Sequence, residues 1–250
     1  MRDVSFLTKN FIAHRGLHDE KNPENSIGAF KKAIRKGYII ELDVHLLKDN
    51  TVVVFHDDSL YRMTKRKSKI KDFTYDEIKD IKLLDSKYCI PKLEDVLKLV
   101  DGKVPLIIEL KYDLKAGLLE KEVVKLLDNY NGEFCVKSFS PLSVLWFKKK
   151  RPNYIRGLLI GYSNRTLKQK LFHSRFIYFL CKPDFISCNY MIPNKKVDRY
   201  RKKGPVIAWT VRNDLNFLRY RKKFDNLIFE NIKIGKWYFV FLLFLTFILM

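Results

Sequence analysis

Glycine and proline are scarce in this chain, ten and eight of 250 residues, which excludes a collagen-like repeat and a long disordered region. Cys89, Cys135, Cys181 and Cys188 form no C-x-x-C pair and have no histidine at zinc-finger spacing, so neither a structural zinc site nor dithiol chemistry has a basis. The first ten residues lack the basic start and apolar run of a secretory leader. That absence predicts a cytoplasmic chain with reduced thiols. Acidic residues are also in short supply: 28 Asp and Glu stand against 49 Lys and Arg, a formal charge of +21. Such an excess attracts phosphate-bearing partners. Because the basic residues are spread along the sequence rather than gathered in one arm, they read as a solvated surface, and no nucleic acid is expected as a partner.

What is present alternates. Short runs rich in β-branched residues alternate with segments of helical spacing, the pattern of repeated β-α units. The spacing predicts strands at Phe11 to His14, Ile39 to Val44, Val52 to His56, Leu106 to Lys111, Phe134 to Ser138, Ile155 to Gly161, Asp184 to Cys188, Val206 to Val211 and Asn226 to Phe229. Between them, helices are predicted over Pro23 to Lys36, Leu93 to Val100, Leu114 to Tyr130, Pro141 to Lys150, Thr166 to Leu180, Lys195 to Lys203 and Asn213 to Phe224. Length and alternation together predict a (β/α)8 TIM barrel over residues 1–232, with one of the nine strands outside it. Residues 59–91 break the alternation and read as an insertion after the second strand region.

Residues 233–250 form a hydrophobic tail. From Trp237 to Met250 the sequence is almost continuously apolar, behind Lys233 and Lys236. Fourteen helical residues would reach only about 21 Å of a roughly 30 Å hydrocarbon core, so the expected role is membrane contact through a tilted or partly inserted anchor. The stretch Leu167 to Leu180, basic and rich in Phe and Tyr, is either a second surface that could lie on a membrane or an ordinary barrel helix.

The chemistry is concentrated early. In a β/α barrel the catalytic residues sit at the C-terminal ends of strands, and His14, Glu41, Asp43, His56, Glu109 and Lys111 all fall near predicted ends. Residues two apart on a strand share a face, so Glu41 and Asp43 converge, as do Glu109 and Lys111. Carboxylates without thiolates or clustered imidazoles suit a hard cation, Mg²⁺ or Ca²⁺. His14 and His56 can divide proton removal and donation, and Arg15 and Lys111 can hold phosphate oxygens. Asp57 and Asp58 can orient His56 and can form a turn, and neither role excludes the other. Of the other histidines, His45 shares the strand parity of Glu41 and Asp43, whereas His18 and His173 carry no motif.

These residues resemble the glycerophosphodiester phosphodiesterase family. The resemblance rests on His14-Arg15-Gly16, Pro23-Glu24-Asn25, Glu41-Leu42-Asp43, His56-Asp57 and Glu109-Leu110-Lys111, with Pro91-Lys92-Leu93-Glu94, Ser138-Phe139 and Trp209-Thr210-Val211 as weaker landmarks. It implies His14 and His56 as the catalytic pair, a divalent metal on Glu41, Asp43 and Glu109, and glycerol 3-phosphate as product. Trp209 either packs beside the alcohol group or belongs to the barrel core. Where the family places a threonine and an aspartate after the last strand, this chain has Phe229 and Glu230. Two other readings stand beside hydrolysis of soluble glycerophosphodiesters. One is a membrane-associated lysophospholipase D acting on lysophospholipid. The other is a non-catalytic basic protein that binds membranes or nucleic acid, against which the intact carboxylates and histidines argue.

Overall fold

The computed structural model describes residues 2–111, 116–161 and 175–232. The expectations for the tail and for most of the segment 167–180 therefore concern residues outside the described ones. Nine strands are present among the described residues: β1 (Ile12–Ala13), β2 (Ile39–Leu46), β3 (Val52–Val54), β4 (Leu106–Leu110), β5 (Phe134–Ser138), β6 (Arg156–Ile160), β7 (Phe185–Asn189), β8 (Val206–Val211) and β9 (Asn226–Phe229). All but β3 run parallel, and β1 pairs with both β2 and β9, which closes the sheet into an eight-stranded barrel. Strand β3 is the one left out. It turns back antiparallel on β2, pairing Val54 with Val44, because Asn50 takes a left-handed conformation (φ 65°) at the hairpin tip, where asparagine is tolerated.

The helices in chain order are α1 (Phe6–Lys9), α2 (Ile27–Arg35), α3 (Tyr61–Thr64), α4 (Tyr75–Ile78), α5 (Leu93–Val100), α6 (Leu118–Leu127), α7 (Pro141–Lys150), α8 (Arg175–Cys181), α9 (Asn194–Arg201) and α10 (Asp214–Arg221). Their starts carry local signals. Ser26, Ser140 and Asn213 cap α2, α7 and α10 by accepting from the backbone N–H three residues on, and Pro141 opens α7. Among the described residues, no helix is long and apolar enough to cross a membrane.

The strand pattern separates three environments. Alternate residues such as Ile40, Leu42, Val44, Leu106 and Ile108 face outward into a core shared with the helices, and a matching cluster covers the second half of the barrel. Inward, Ile12, Ile39, Ile107, Cys135, Phe185, Ile207 and Ile228 form an apolar layer, with Phe6 and Leu7 of α1 packed on it. Gly157 lets the Phe185 ring into that layer, since a Cβ at residue 157 would lie 2.3 Å from it. The insertion has its own small core of Leu60, Met63, Ile70, Ile78 and their neighbours.

Candidate active site

Two residues along each strand from the apolar layer, the barrel interior turns polar. Above Ile12, Ile39, Ile107, Cys135 and Ile228 stand His14, Glu41, Glu109, Lys137 and Glu230. Strand period alone dictates this step. Register then sets neighbours side by side: Asp43 pairs with Glu109 across β2 and β4, and Glu109 with Lys137 across β4 and β5.

Glu41, Asp43 and Glu109 are buried and present oxygens within 4.8 Å of one another. Like charges so close require compensation. Lys111 Nζ lies 2.7 Å from Asp43 Oδ1 and 2.6 Å from Glu109 Oε1. Lys137 Nζ lies 2.8 Å from Glu41 Oε1 and 3.3 Å from Glu109 Oε2. Arg15 adds its backbone N–H to Glu41 (3.0 Å) and its Nε to Asp43 (3.4 Å). Burial alone would raise the carboxyl pKa of Asp43, but Lys111, Arg15 and the charges of His56 and His14 together hold it far below the ordinary range. Glu109 is lowered in the same way, burial being outweighed by Lys111 and Lys137. Lys111 is raised: burial opposes its charge, and Asp43 and Glu109 overcome it.

The sequence motifs acquire physical roles here. Gly16 has φ +78°, and a Cβ there would come within 2.9 Å of Ala29 Cβ, so glycine lets the chain turn tightly over α2. Asn25, also left-handed at φ 55°, donates its amide to Asp43 Oδ2 at 2.9 Å and accepts from the Asp43 backbone at 3.4 Å. Glu24 receives Arg15 at 2.6 Å and Arg62 at 2.7 Å.

Each histidine expected to be catalytic has a carboxylate behind it. His56 Nδ1 donates to Asp57 Oδ1 at 2.5 Å, and Asp57 is held in turn by Arg62 at 2.6 Å. His14 Nδ1 pairs with Glu230 Oε2. A carboxylate at Nδ1 fixes the proton there and leaves Nε2 for other chemistry. Burial would raise the pKa of Glu230, but the bond from His14, the nearby His18 and the charge of Arg212 bring it well down. His45 Nε2 donates to the His56 carbonyl at 3.2 Å, and burial lowers the pKa of its imidazole. Asp57 thus takes the orienting role, and His45 reaches the site by way of the His56 backbone.

The other expected residues fall differently. Arg15 and Lys111 are both engaged with acidic side chains of the site rather than standing alone. Trp209, on β8, packs edge-on to Phe139 at 5.6 Å between ring centres, and its indole N–H is buried with no acceptor among the described residues. His173 lies outside the described residues. Sequence reading missed Lys137, Arg62 and the role of Glu230. The signal for Lys137 was available, since it is an isolated basic residue in an apolar strand with the parity that faces inward.

The carboxyl shifts carry a sign. Asp43, Glu109, Glu230, Glu24 and Asp57 all have folded pKa values below their usual ones, so each contributes stability that is full above the unfolded value of roughly 4 and is lost as pH falls further. Urea unfolding in chelator should show little loss from these groups between pH 8 and 5 and a steep decline below about pH 4. A flat stability profile down to pH 2.5 would contradict the network.

An eight-stranded barrel with an acid cluster, flanking cations and two carboxylate-backed histidines near the C-terminal ends of its strands is an arrangement suited to acid–base chemistry on an anionic group. The comparisons with known proteins are narrower. The sequence pattern of the glycerophosphoryl diester phosphodiesterase family matches residues 14–232, and the chain belongs to this family of phosphoric diester hydrolases. It is 38% identical over 163 residues to a glycerophosphodiester phosphodiesterase of Caldanaerobacter subterraneus subsp. tengcongensis, covering 59% of this chain and 65% of that one. It is 35% identical over 141 residues to the human lysophospholipase D GDPD1, covering 51% and 43%. The chain thus aligns with less than two thirds of either relative. Among solved structures, an Oleispira antarctica phosphodiesterase in complex with the product sn-glycerol-3-phosphate superposes with a TM-score of 0.75 at 22% identity, covering 90% of this chain and 93% of that one. At that identity the likeness shows the fold.

Proposed function

We propose that the chain hydrolyses glycerophosphodiesters to an alcohol and glycerol 3-phosphate, with a divalent cation held by Glu41, Asp43 and Glu109. The observation that carries this reading is the buried cluster of three carboxylates at the barrel mouth, with a carboxylate-backed histidine in His14 and another in His56. The donor set fits a hard cation: every ligand atom is a carboxylate oxygen. Lys111 acts as the stand-in, its ammonium held by one oxygen of Asp43 and one of Glu109, the arrangement of charge that a cation at the mouth would meet. When bound, Mg²⁺ or Ca²⁺ supplies charge neutralisation to the phosphate oxygens.

The residues of the chain do the rest. Arg15 and Lys111 draw the phosphate to the mouth and restrict its orientation. One histidine removes the proton from the attacking oxygen, that of water or of the glycerol 2-hydroxyl, through Nε2, and the other delivers a proton to the alcohol as its P–O bond breaks; where the 2-hydroxyl attacks, water then opens the cyclic phosphate to glycerol 3-phosphate. Glu230 and Asp57 keep each ring in the tautomer that exposes Nε2 and stabilise the imidazolium form as it arises. Trp209 offers an apolar wall to the alcohol or glycerol group.

A parallel assay of glycerophosphocholine and lysophosphatidylcholine, each with Mg²⁺, Ca²⁺ or chelator, tests the reading. Cation-dependent turnover of the soluble diester is expected. Turnover of the lysolipid alone would assign the chain to the lysophospholipase D reading, and turnover of neither with either cation would refute both.

A further inference from the structure

Nine large apolar side chains stand exposed among the described residues, and five lie on one side of the barrel. Leu118 opens α6, Phe139 follows β5, Leu142 is in the first turn of α7, Met191 follows β7, and Leu215 is the second residue of α10. Each sits where a strand hands over to its helix, so topology places all five on the rim around the catalytic mouth. Leu118 and Leu215 are 68% and 81% exposed, and the other three about half. They follow β4, β5, β7 and β8, neighbours along one arc of the barrel apart from β6.

The same helices bury other residues inward: Val123 and Leu127 on α6, Val144 and Phe147 on α7, Phe217 on α10. Exposed cations are interspersed with the apolar tips. Lys195 and Lys196 lie in the first turn of α9, just beyond Met191, and Arg212 comes shortly before Leu215. Across the mouth, Lys69 and Lys71 of the insertion share the wall of a cavity of about 690 Å³ with Lys111. An apolar rim with interspersed cations is the composition of a surface that seats on anionic lipid, the tips entering the acyl boundary while Lys and Arg meet the headgroups. The formal +21 charge of the chain acts in the same direction.

We infer that the catalytic rim of the barrel docks on an anionic bilayer, so that the mouth faces the membrane and takes phosphodiester substrate from it. This goes beyond the proposed function by adding a bilayer-held source of phosphodiester to the soluble one, and it rests on that reading only for the chemistry at the mouth.

The test uses the full chain with Leu215→Trp and Met191→Trp as rim reporters and Lys103→Trp, on the opposite end of the barrel before β4, as control. Vesicles of phosphatidylcholine, with or without phosphatidylglycerol, carry brominated acyl chains. Quenching beyond that of the parent protein is expected at residues 215 and 191 but not at 103, only with the anionic lipid, and weakened by salt. Equal quenching at all three positions, or none at the rim, overturns the inference. So does a blue shift in the emission of the rim tryptophans that grows with protein concentration in the absence of lipid, which would make the face a contact between copies of the chain. As a second measurement, the double variant Leu142→Asp/Leu215→Asp should lower turnover of lysophosphatidylcholine in anionic vesicles at least tenfold while leaving soluble glycerophosphocholine unchanged. Equal loss on both substrates would also overturn it. Absence of turnover on either substrate by the parent protein refutes the proposed function instead, and the quenching result is independent of that outcome.

Discussion

His14→Ala and His56→Ala are each expected to lower glycerol 3-phosphate release by about 10²- to 10⁴-fold, the usual range for loss of a positioned general acid or base. Both rings should be replaceable without unfolding, because neither belongs to the apolar layers of the barrel. The loss should fall on kcat, since the rings act on protons in flight rather than on the resting phosphate. Glu230→Gln, which keeps a hydrogen-bond acceptor behind His14 but removes its charge, should cost less, about 10- to 100-fold. Steady-state kinetics on a soluble diester checks all three. Full activity in either histidine variant would remove that residue from the chemistry. A Glu230→Gln variant as active as the parent would leave the His14–Glu230 pair a structural one.

Lys137→Met is expected to have the largest effect on stability. Lys137 is buried with its ammonium between Glu41 and Glu109, and removing one partner of a buried ion pair leaves an uncompensated charge, at a cost of about 3–5 kcal/mol. The same position gives the prediction a signature that a mere packing defect lacks. Excess Mg²⁺ or Ca²⁺ supplies positive charge to the same carboxylates, so the deficit measured in chelator should shrink when the cation is added. Urea unfolding of parent and variant, with and without the cation, measures it. A deficit indifferent to cations would mean that Lys137 serves packing alone and that the carboxylates do not take up a metal.

Most of the barrel was legible because its strands obey a simple period. The predicted spans Phe134 to Ser138, Val206 to Val211 and Asn226 to Phe229 coincide with β5, β8 and β9, and one of the nine strands does lie outside the barrel, though only the structure shows that it is β3. Boundaries failed where a side chain rather than the apolar pattern ends the element. His56 was placed in a strand because it follows an apolar run, yet β3 stops at Val54 and His56 sits in the turn that lets its ring meet Asp57. The core of the site was readable for the same reason as the strands: Glu41, Asp43, Glu109 and Lys111 follow a two-residue period that puts them on one face.

The supporting groups were not readable in the same way, because their partners are remote in sequence. Glu230 reaches His14 across 216 positions, and only closure of the barrel between β9 and β1 brings them together. It appeared in the sequence as a mismatch with the family pattern; in the fold it is the carboxylate that orients His14. Arg62 looked like part of a basic insertion, although it is the link between Asp57 and Glu24. Lys137 was hidden by its type: a lysine is usually read as surface, and its burial follows only from β5 lying in register with Glu109 on β4.

The central claim concerns which bond breaks and what is needed to break it. Phosphorus NMR of glycerophosphocholine incubated with the full chain addresses both at once. The expected result is conversion to glycerol 3-phosphate and free choline with Mg²⁺ or Ca²⁺ present and no conversion in chelator. Appearance of phosphocholine and glycerol, or conversion undiminished by chelator, would contradict it.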